Sequence, residues 1–256
     1  MISKRYRNYL IRRYILQPWL ILVTRLLYIL CPSVIIDKVK LNRPIFIIGV
    51  SRSGTTLFIE KFAQHNELCN WSEAAQIFTT KFYDKDVDHY LDKNNYNVLD
   101  EFRLKLFFGL KTKINRKNRF VNKHPENSLR LRFIKKLWPD AIFVHIFRNP
   151  KDVVYSNYKL TTHQKFRHDW PFGQFPKPKM WRQYLNLPLI EQFCLQYVDL
   201  EKEIFNFSHE CYKGNILSIS YEEFCESPKE ILKKVDIYCG LNPKERKFNN
   251  LEQVYT

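Results

Sequence analysis

The stretch from Pro44 to Leu57, Pro-Ile-Phe-Ile-Ile-Gly-Val-Ser-Arg-Ser-Gly-Thr-Thr-Leu, collects residue types that hold an oxyanion. Arg52 offers a guanidinium that forks across two oxygens, and the hydroxyls of Ser53, Thr55 and Thr56 are hydrogen-bond donors. Gly49 and Gly54 allow a tight turn, so that successive backbone N–H groups and the positive end of a following helix converge on one anion. The spacing is close to G-x-x-x-x-G-K-[ST], the loop that cradles nucleotide phosphates, but the lysine is missing. Position 55 is Thr, and the cation sits inside the loop. Nucleotide kinases and NTPases use that lysine to reach the β/γ-phosphates. The loop therefore reads as a phosphate binder that is not built to hydrolyse ATP.

For this loop to work, Ile45–Ile48 must be a strand buried on both faces, followed by a helix with Leu57, Phe58, Ile59 and Phe62 inward. Two further sets of basic residues also end apolar runs. Phe120–Val121 leads into Asn122-Lys123-His124-Pro125, with a helix expected from Ser128 to Leu137. Ala141–Phe147 is a second buried strand ending at Arg148-Asn149-Pro150, and Pro150 suits the first turn of a helix from Lys151 to Tyr158. Ile216–Ser220 is a last strand, ending at Tyr221-Glu222, and a helix from Lys229 to Cys239 stops at Gly240. Strands alternating with helices predict an α/β fold, a parallel doubly wound sheet with helices on both faces. Ligands gather at the C-terminal strand ends of such sheets. The anion loop, Lys123-His124 and Arg148 all fall there, which argues for one shared ligand.

The intervening segments read more plainly. Glu67–Phe78 holds Asn70-Trp71-Ser72-Glu73 where a loop gives way to a helix. Residues 84–118 read as a surface excursion with helix around Val98–Leu110. Its basic tail, Lys111, Lys113, Arg116, Lys117 and Arg119, is either solvated surface or a contact for an acidic substrate. Thr161–Lys179 reads as a lid over an acceptor; its His163 and His168 sit on poor metal scaffolding, and no metal is expected. Trp181–Phe207 reads mostly as one long helix with Phe193, Tyr197, Leu200 and Ile204 inward.

A chain of 256 residues suits one well-buried domain, and 45% apolar and 16% aromatic residues exclude disorder. The net charge of +16 favours a polyanionic partner: a phosphate-rich cofactor, an acidic glycan, nucleic acid or an anionic membrane. No nucleic-acid motif is present. The cysteines are scattered without C-x-x-C or metal spacing and read as buried thiols in a reducing, cytoplasmic setting. Residues 1–36 carry Lys4, Arg5, Arg7, Arg12, Arg13 and Arg25 and no acid. Residues 1–40 thus read as a basic, apolar helical segment ahead of a domain at 41–256. Gln17, Pro18 and Arg25 make Ile15–Leu30 a poor membrane span. It lies on an anionic membrane surface, a peripheral contact, or it packs on the domain, with a true membrane anchor as the third alternative.

Two of these motifs resemble those of sulfotransferases that use 3′-phosphoadenosine 5′-phosphosulfate (PAPS). Ile48-Gly49-Val50-Ser51-Arg52-Ser53-Gly54-Thr55-Thr56-Leu57 is similar to the family's 5′-phosphosulfate loop, P-R/K-S-G-T-T. Phe147-Arg148-Asn149-Pro150-Lys151-Asp152-Val153-Val154-Tyr155-Ser156 is similar to its 3′-phosphate motif, R-[DN]-P-[RK]-D-x-x-x-S. The resemblance implies PAPS as the cofactor, 3′,5′-adenosine bisphosphate as the product, and a hydroxyl acceptor on a glycan, a protein tyrosine or a lipid head group. It assigns Arg52, Ser53, Gly54, Thr55 and Thr56 to the phosphosulfate, Arg148 and Ser156 to the 3′-phosphate, and Tyr221 to the same cofactor. Ser51 replaces the family's Pro. The C-terminal R-K-G-x-x-G-x-W-K motif of cytosolic members is absent, leaving Lys244, Arg246 and Lys247 as the basic residues nearby.

Sulfuryl transfer needs in-line alignment, a base for the acceptor hydroxyl and cations for the leaving phosphate. Arg52 is the first choice for the last task, with Lys123 beside it. Glu73 stands where protein-tyrosine and other Golgi-type sulfotransferases place a catalytic Glu, and those relatives also carry an N-K-x-P segment like Asn122–Pro125. His124 stands near the His of the cytosolic K-T-H segment. Both are candidate bases, and Glu73 is preferred. A P-loop-type nucleotide kinase is disfavoured by Thr55 and by the lack of an Asp-ended magnesium strand. A non-enzymatic basic module on a membrane or polyanion is the other alternative.

Overall fold

The computed structural model describes residues 15–30, 38–78, 88–92, 94, 97–163, 176–210 and 216–246. The strands β1 (Ile45–Ile48), β2 (Leu68–Asn70), β3 (Arg119–Lys123), β4 (Ile142–Phe147) and β5 (Ile216–Ser220) form one sheet in the order β2-β3-β1-β4-β5. Every pairing is parallel. The helices are α1 (Gln17–Leu30), α2 (Thr55–Phe62), α3 (Ala75–Phe78), α4 (Val98–Ile114), α5 (Leu131–Leu137), α6 (Pro150–His163), α7 (Leu189–His209), α8 (Tyr221–Glu226) and α9 (Pro228–Cys239).

Because strand side chains alternate, β1 feeds two cores. Phe46 and Ile48 join Phe108, Phe120, Phe143 and Phe207 on one face. Ile45 and Ile47 join Phe58, Phe62, Val144 and Val235 on the other. That two-sided burial is why the run carries no polar residue. The order of strands reverses beside β1, with β3 and β2 to one side and β4 and β5 to the other. Such a switch point opens a crevice at the C-terminal strand ends, and β1, β3 and β4 point the anion loop, Lys123 and Arg148 into that region.

Several expectations are corrected. Leu68–Asn70 is a strand, not the end of a loop. Helix α4 is no surface excursion: Leu104 and Phe108 are fully buried, and Phe108 stacks on Phe120 at 4.5 Å. Arg119 is not part of a solvated tail. It is buried at the start of β3 and donates to the Cys239 and Arg43 carbonyls. The segment after Lys123 is a 3-10 turn (Pro125–Leu129) followed by α5. The expected long helix breaks at Pro188, leaving a 3-10 turn at Trp181–Tyr184 ahead of α7. Of the expected lid, Thr161 and His163 belong to α6, whereas residues 164–175, His168 among them, lie outside the described residues. Arg246 is buried on Asp236 and donates to the Lys61 and Phe62 carbonyls. It is therefore a structural anchor, not a substitute basic contact, and Lys247 lies outside the described residues.

Helix α1 packs on α4, with Leu27 and Tyr28 against Val39, Phe102 and Leu106. Tyr28 meets Phe102 edge-on at 5.3 Å. Among the described residues no helix is long and apolar enough to cross a membrane.

Candidate active site

The turn after β1 depends on two glycines. Gly49 has φ +146°, and a Cβ there would lie 2.3 Å from the Ile146 carbonyl oxygen of the neighbouring strand. Gly54 has φ +91°, and a Cβ there would lie 2.1 Å from the Tyr221 ring. Only glycine adopts such backbone at such proximity. The Ser53 hydroxyl is buried, 2.8 Å from the Val50 carbonyl and 2.9 Å from the Ile146 carbonyl, so it serves the loop itself. Ser128 closes the other side: its hydroxyl accepts from the Gly49 N–H at 2.9 Å. Gly54 caps α2 without a side chain, so the first N–H groups of the helix have no intrahelical acceptor and no capping oxygen. That is the cradle read from the sequence.

At the end of β3, Lys123 is 2% exposed and donates to Thr56 Oγ1 at 3.1 Å and to Glu73 Oε1 at 2.6 Å. Glu73 is held in the left-handed region (φ 54°), its N–H donating to the Lys123 carbonyl at 2.7 Å. Its carboxylate nonetheless has a side chain 64% exposed. A non-glycine residue at positive φ is strained, and such strain collects at functional sites. Asn122, fully buried, donates to the Trp71 carbonyl and accepts from Asn127 Nδ2 at 2.7 Å. The Asn-Lys-x-Pro segment thus has a physical meaning. Asn122 pins the Trp71–Glu73 turn, Lys123 holds its carboxylate, and Pro125 opens the 3-10 turn that aims Asn127 and Ser128.

His124 caps that turn, its Nδ1 accepting from the Glu126 N–H at 3.3 Å. Burial, with the Arg130 and Lys123 cations nearby, pushes its pKa well below the usual imidazole value. It is neutral at neutral pH and 6% exposed, whereas Glu73 faces solvent.

Arg148 follows β4. Its guanidinium stacks on the Tyr221 ring at 4.8 Å and lies 3.6 Å from Asp152. Its Nε is buried and has no hydrogen-bond partner among the described residues. Arg52, also at positive φ (76°), donates from Nε to Ser156 Oγ at 3.1 Å. Asn157 donates to the Ser51 carbonyl at 3.3 Å, tying α6 to the loop a second time. Glu222 accepts from the Asn149 N–H at 3.1 Å and from the Ser220 hydroxyl at 2.7 Å. Partial burial opposes its ionisation, but these donors hold its carboxyl below the usual range.

The fold therefore pairs the predicted residues: Lys123 with Thr56 and Glu73, Arg52 with Ser156, and Arg148 with Tyr221, whose ring also lies against Gly54. Arg52 rests on Ser156, so the cation beside Glu73 is Lys123. Sequence reasoning missed Asn122, Ser128 and Asn157 as parts of the frame. Their signal was weak, since each is a small polar residue flanked by stronger motif positions. The residues fit a nucleotide carrying two anionic ends. The orphan Nε of Arg148 needs an acceptor, and the first turn of α2 after Gly54 presents backbone N–H groups with no capping side chain. Among the described residues no cluster of metal-binding side chains is present.

The model of the sulfotransferase family matches residues 44–245, and the chain belongs to that family. A sulfotransferase domain from the curacin biosynthetic pathway shares the fold with a TM-score of 0.57 at 16% identity, over 79% of this chain and 75% of that one. Sulfotransferase STF1 from Mycobacterium tuberculosis H37Rv aligns with a TM-score of 0.54 at 12% identity, over 86% of this chain and 72% of that one. A sulfotransferase from Alicyclobacillus acidocaldarius aligns with a TM-score of 0.52 at 15% identity, over 79% and 83%. An uncharacterized protein of Aquifex aeolicus (strain VF5) is 23% identical over 232 residues, 80% of this chain. The match spans only 26% of that longer protein.

Proposed function

We propose that this chain transfers the sulfuryl group of PAPS to a hydroxyl on a glycan, a protein tyrosine or a lipid head group. The observation that carries the reading is the Lys123–Glu73 pair at 2.6 Å, set against Thr56 at the mouth of the anion loop. Bound there, PAPS supplies an activated sulfuryl group whose departure leaves a phosphate.

The chain's own residues then have distinct work. The Gly54–Thr56 backbone and the Thr55 and Thr56 hydroxyls hold the 5′-phosphate end. Arg148 and Ser156 hold the 3′-phosphate, with Tyr221 backing the guanidinium. Lys123 neutralises charge on the leaving oxygen, assisted by Arg52. Glu73 takes the proton of the acceptor hydroxyl. In the resting pair Lys123 and Glu73 neutralise each other. A phosphate arriving at Thr56 competes for the ammonium and frees the carboxylate as the acceptor arrives. Glu73 is favoured over His124 because it is strained, exposed and ion-paired, whereas His124 is buried and caps a turn.

Calorimetric titration with 3′,5′-adenosine bisphosphate, ATP with magnesium and AMP tests the cofactor. Tight binding of the bisphosphate alone is expected. Preference for ATP would return the nucleotide kinase, and binding of none would overturn the assignment of both motifs.

A further inference from the structure

Helix α1 carries apolar side chains on two opposite faces, and among the described residues only one is covered. Leu20, Leu27 and Tyr28 turn inward to the cores beneath. The inward Thr24 hydroxyl donates to the Leu20 carbonyl at 2.6 Å, within the helix itself. On the other face Trp19, Leu22, Leu26, Ile29 and Leu30 are each at least half exposed. They recur at helical spacing and form one stripe. Arg25 is the single charged residue of the helix. A helix apolar all round belongs in an interior or against lipid, and an exposed stripe of this kind marks an interaction surface.

We infer that this stripe docks on an anionic lipid surface, with α1 lying in the plane of the interface. Charge selects the occupant. Lys4, Arg5, Arg7, Arg12 and Arg13 precede the helix, and the first acid in the chain is Asp37. Anionic headgroups neutralise them while the acyl boundary takes the apolar stripe. The described helix of 14 residues, at about 1.5 Å per residue, reaches roughly 21 Å, short of the ~30 Å hydrocarbon core, and so suits the interface plane. The inward contacts with α4 hold the domain against the same surface. This inference is independent of the sulfuryl-transfer reading, because none of these residues belongs to the candidate active site.

The test is co-sedimentation of the full chain with phosphatidylcholine vesicles, with and without phosphatidylserine. The full chain should bind the phosphatidylserine vesicles at least tenfold more tightly, and rising salt should weaken binding. The triple variant Leu22→Gln/Leu26→Gln/Ile29→Gln should lose at least tenfold of that affinity with an unchanged thermal midpoint. In the unaltered protein, brominated lipid should quench part of the tryptophan emission, and Trp19→Phe should remove that part; this readout stands even where the triple variant fails to fold. Absence of vesicle binding would overturn the inference. So would equal binding by the triple variant, or a wild-type dimer that the triple variant dissolves.

Discussion

Lys123 at the end of β3 and Arg148 after β4 close two strands that flank β1 on either side, yet their surroundings are opposite. Lys123 is sealed, and its ammonium is shared between a hydroxyl and a carboxylate at hydrogen-bond distance. Arg148 is only partly buried, with a stacked aromatic, a carboxylate only at 3.6 Å, and an orphan Nε. A buried cation with a partner is a preset reaction centre that needs a competitor to release it. A partly open cation short of acceptors is a binding clamp. The difference predicts that changes near Lys123 act on turnover and changes near Arg148 act on cofactor affinity.

The largest effect should come from Glu73→Gln. Losing a general base costs on the order of 10²–10⁴ in turnover, while affinity for 3′,5′-adenosine bisphosphate should stay within a few fold. The exposed side chain makes folding insensitive to the change. Single-turnover kinetics beside calorimetry separate the two quantities. Near-normal turnover in this variant, with His124→Ala inactive, would move the base role to His124.

Arg148→Ala should do the reverse. Losing a charge-assisted contact worth about 1.5–3 kcal/mol corresponds to roughly 10–100-fold weaker bisphosphate binding, with AMP affinity unaffected. Unchanged bisphosphate affinity would remove the clamp from the account and leave Arg148 as a surface arginine stacked on Tyr221.

How much of this was written in the chain differs between the two centres. The anion loop and the Arg148 motif are contiguous, so their glycines, hydroxyls and cations could be read directly. β1 was legible because burial on both faces forces an unbroken apolar run, and β4 because its apolar run is interrupted only by the buried His145. The Lys123–Glu73 pair spans 50 positions, and the strand that delivers Glu73 is only Leu-Cys-Asn, too short to show a period. Helix α4 was misread because its charged residues masked a buried role: Arg103 is spent on Asp100 and on the Ile77 and Phe78 carbonyls. Arg119 misled for the same reason, since a buried arginine that donates to carbonyls looks like any other basic residue in sequence.

Acid should separate the two centres as well. His124 and His89 lie behind the sealed side, and burial plus the Arg130 cation pushes both pKa values well below the usual 6.5. A depressed imidazole pKa means that the unfolded chain binds more protons than the folded one. Stability should therefore be intact above about pH 6.5 and fall as pH drops below it, by about 1.4 kcal/mol per pH unit for each imidazole kept neutral. Denaturant unfolding between pH 7 and 5 measures the slope, and His124→Asn should reduce it by about one proton's share. A stability that is flat through this window would mean the imidazoles are charged inside the fold.

The smallest effect tests where the two centres communicate. Ser156 sits on the clamp side, yet its hydroxyl accepts from Arg52, a residue of the loop that leads to Thr56 and Lys123. If Ser156 serves the clamp, Ser156→Ala removes one hydrogen bond of about 0.5–1.5 kcal/mol, weakening bisphosphate binding roughly 2–10-fold and leaving turnover at saturating cofactor unchanged. If it instead holds Arg52 for the transfer step, affinity should barely move and turnover should fall. In that case Arg52→Ala and the double variant should be equally slow, because the two side chains would act as one unit. A loss confined to affinity, with additive single and double variants, would keep the sealed centre and the open clamp energetically separate.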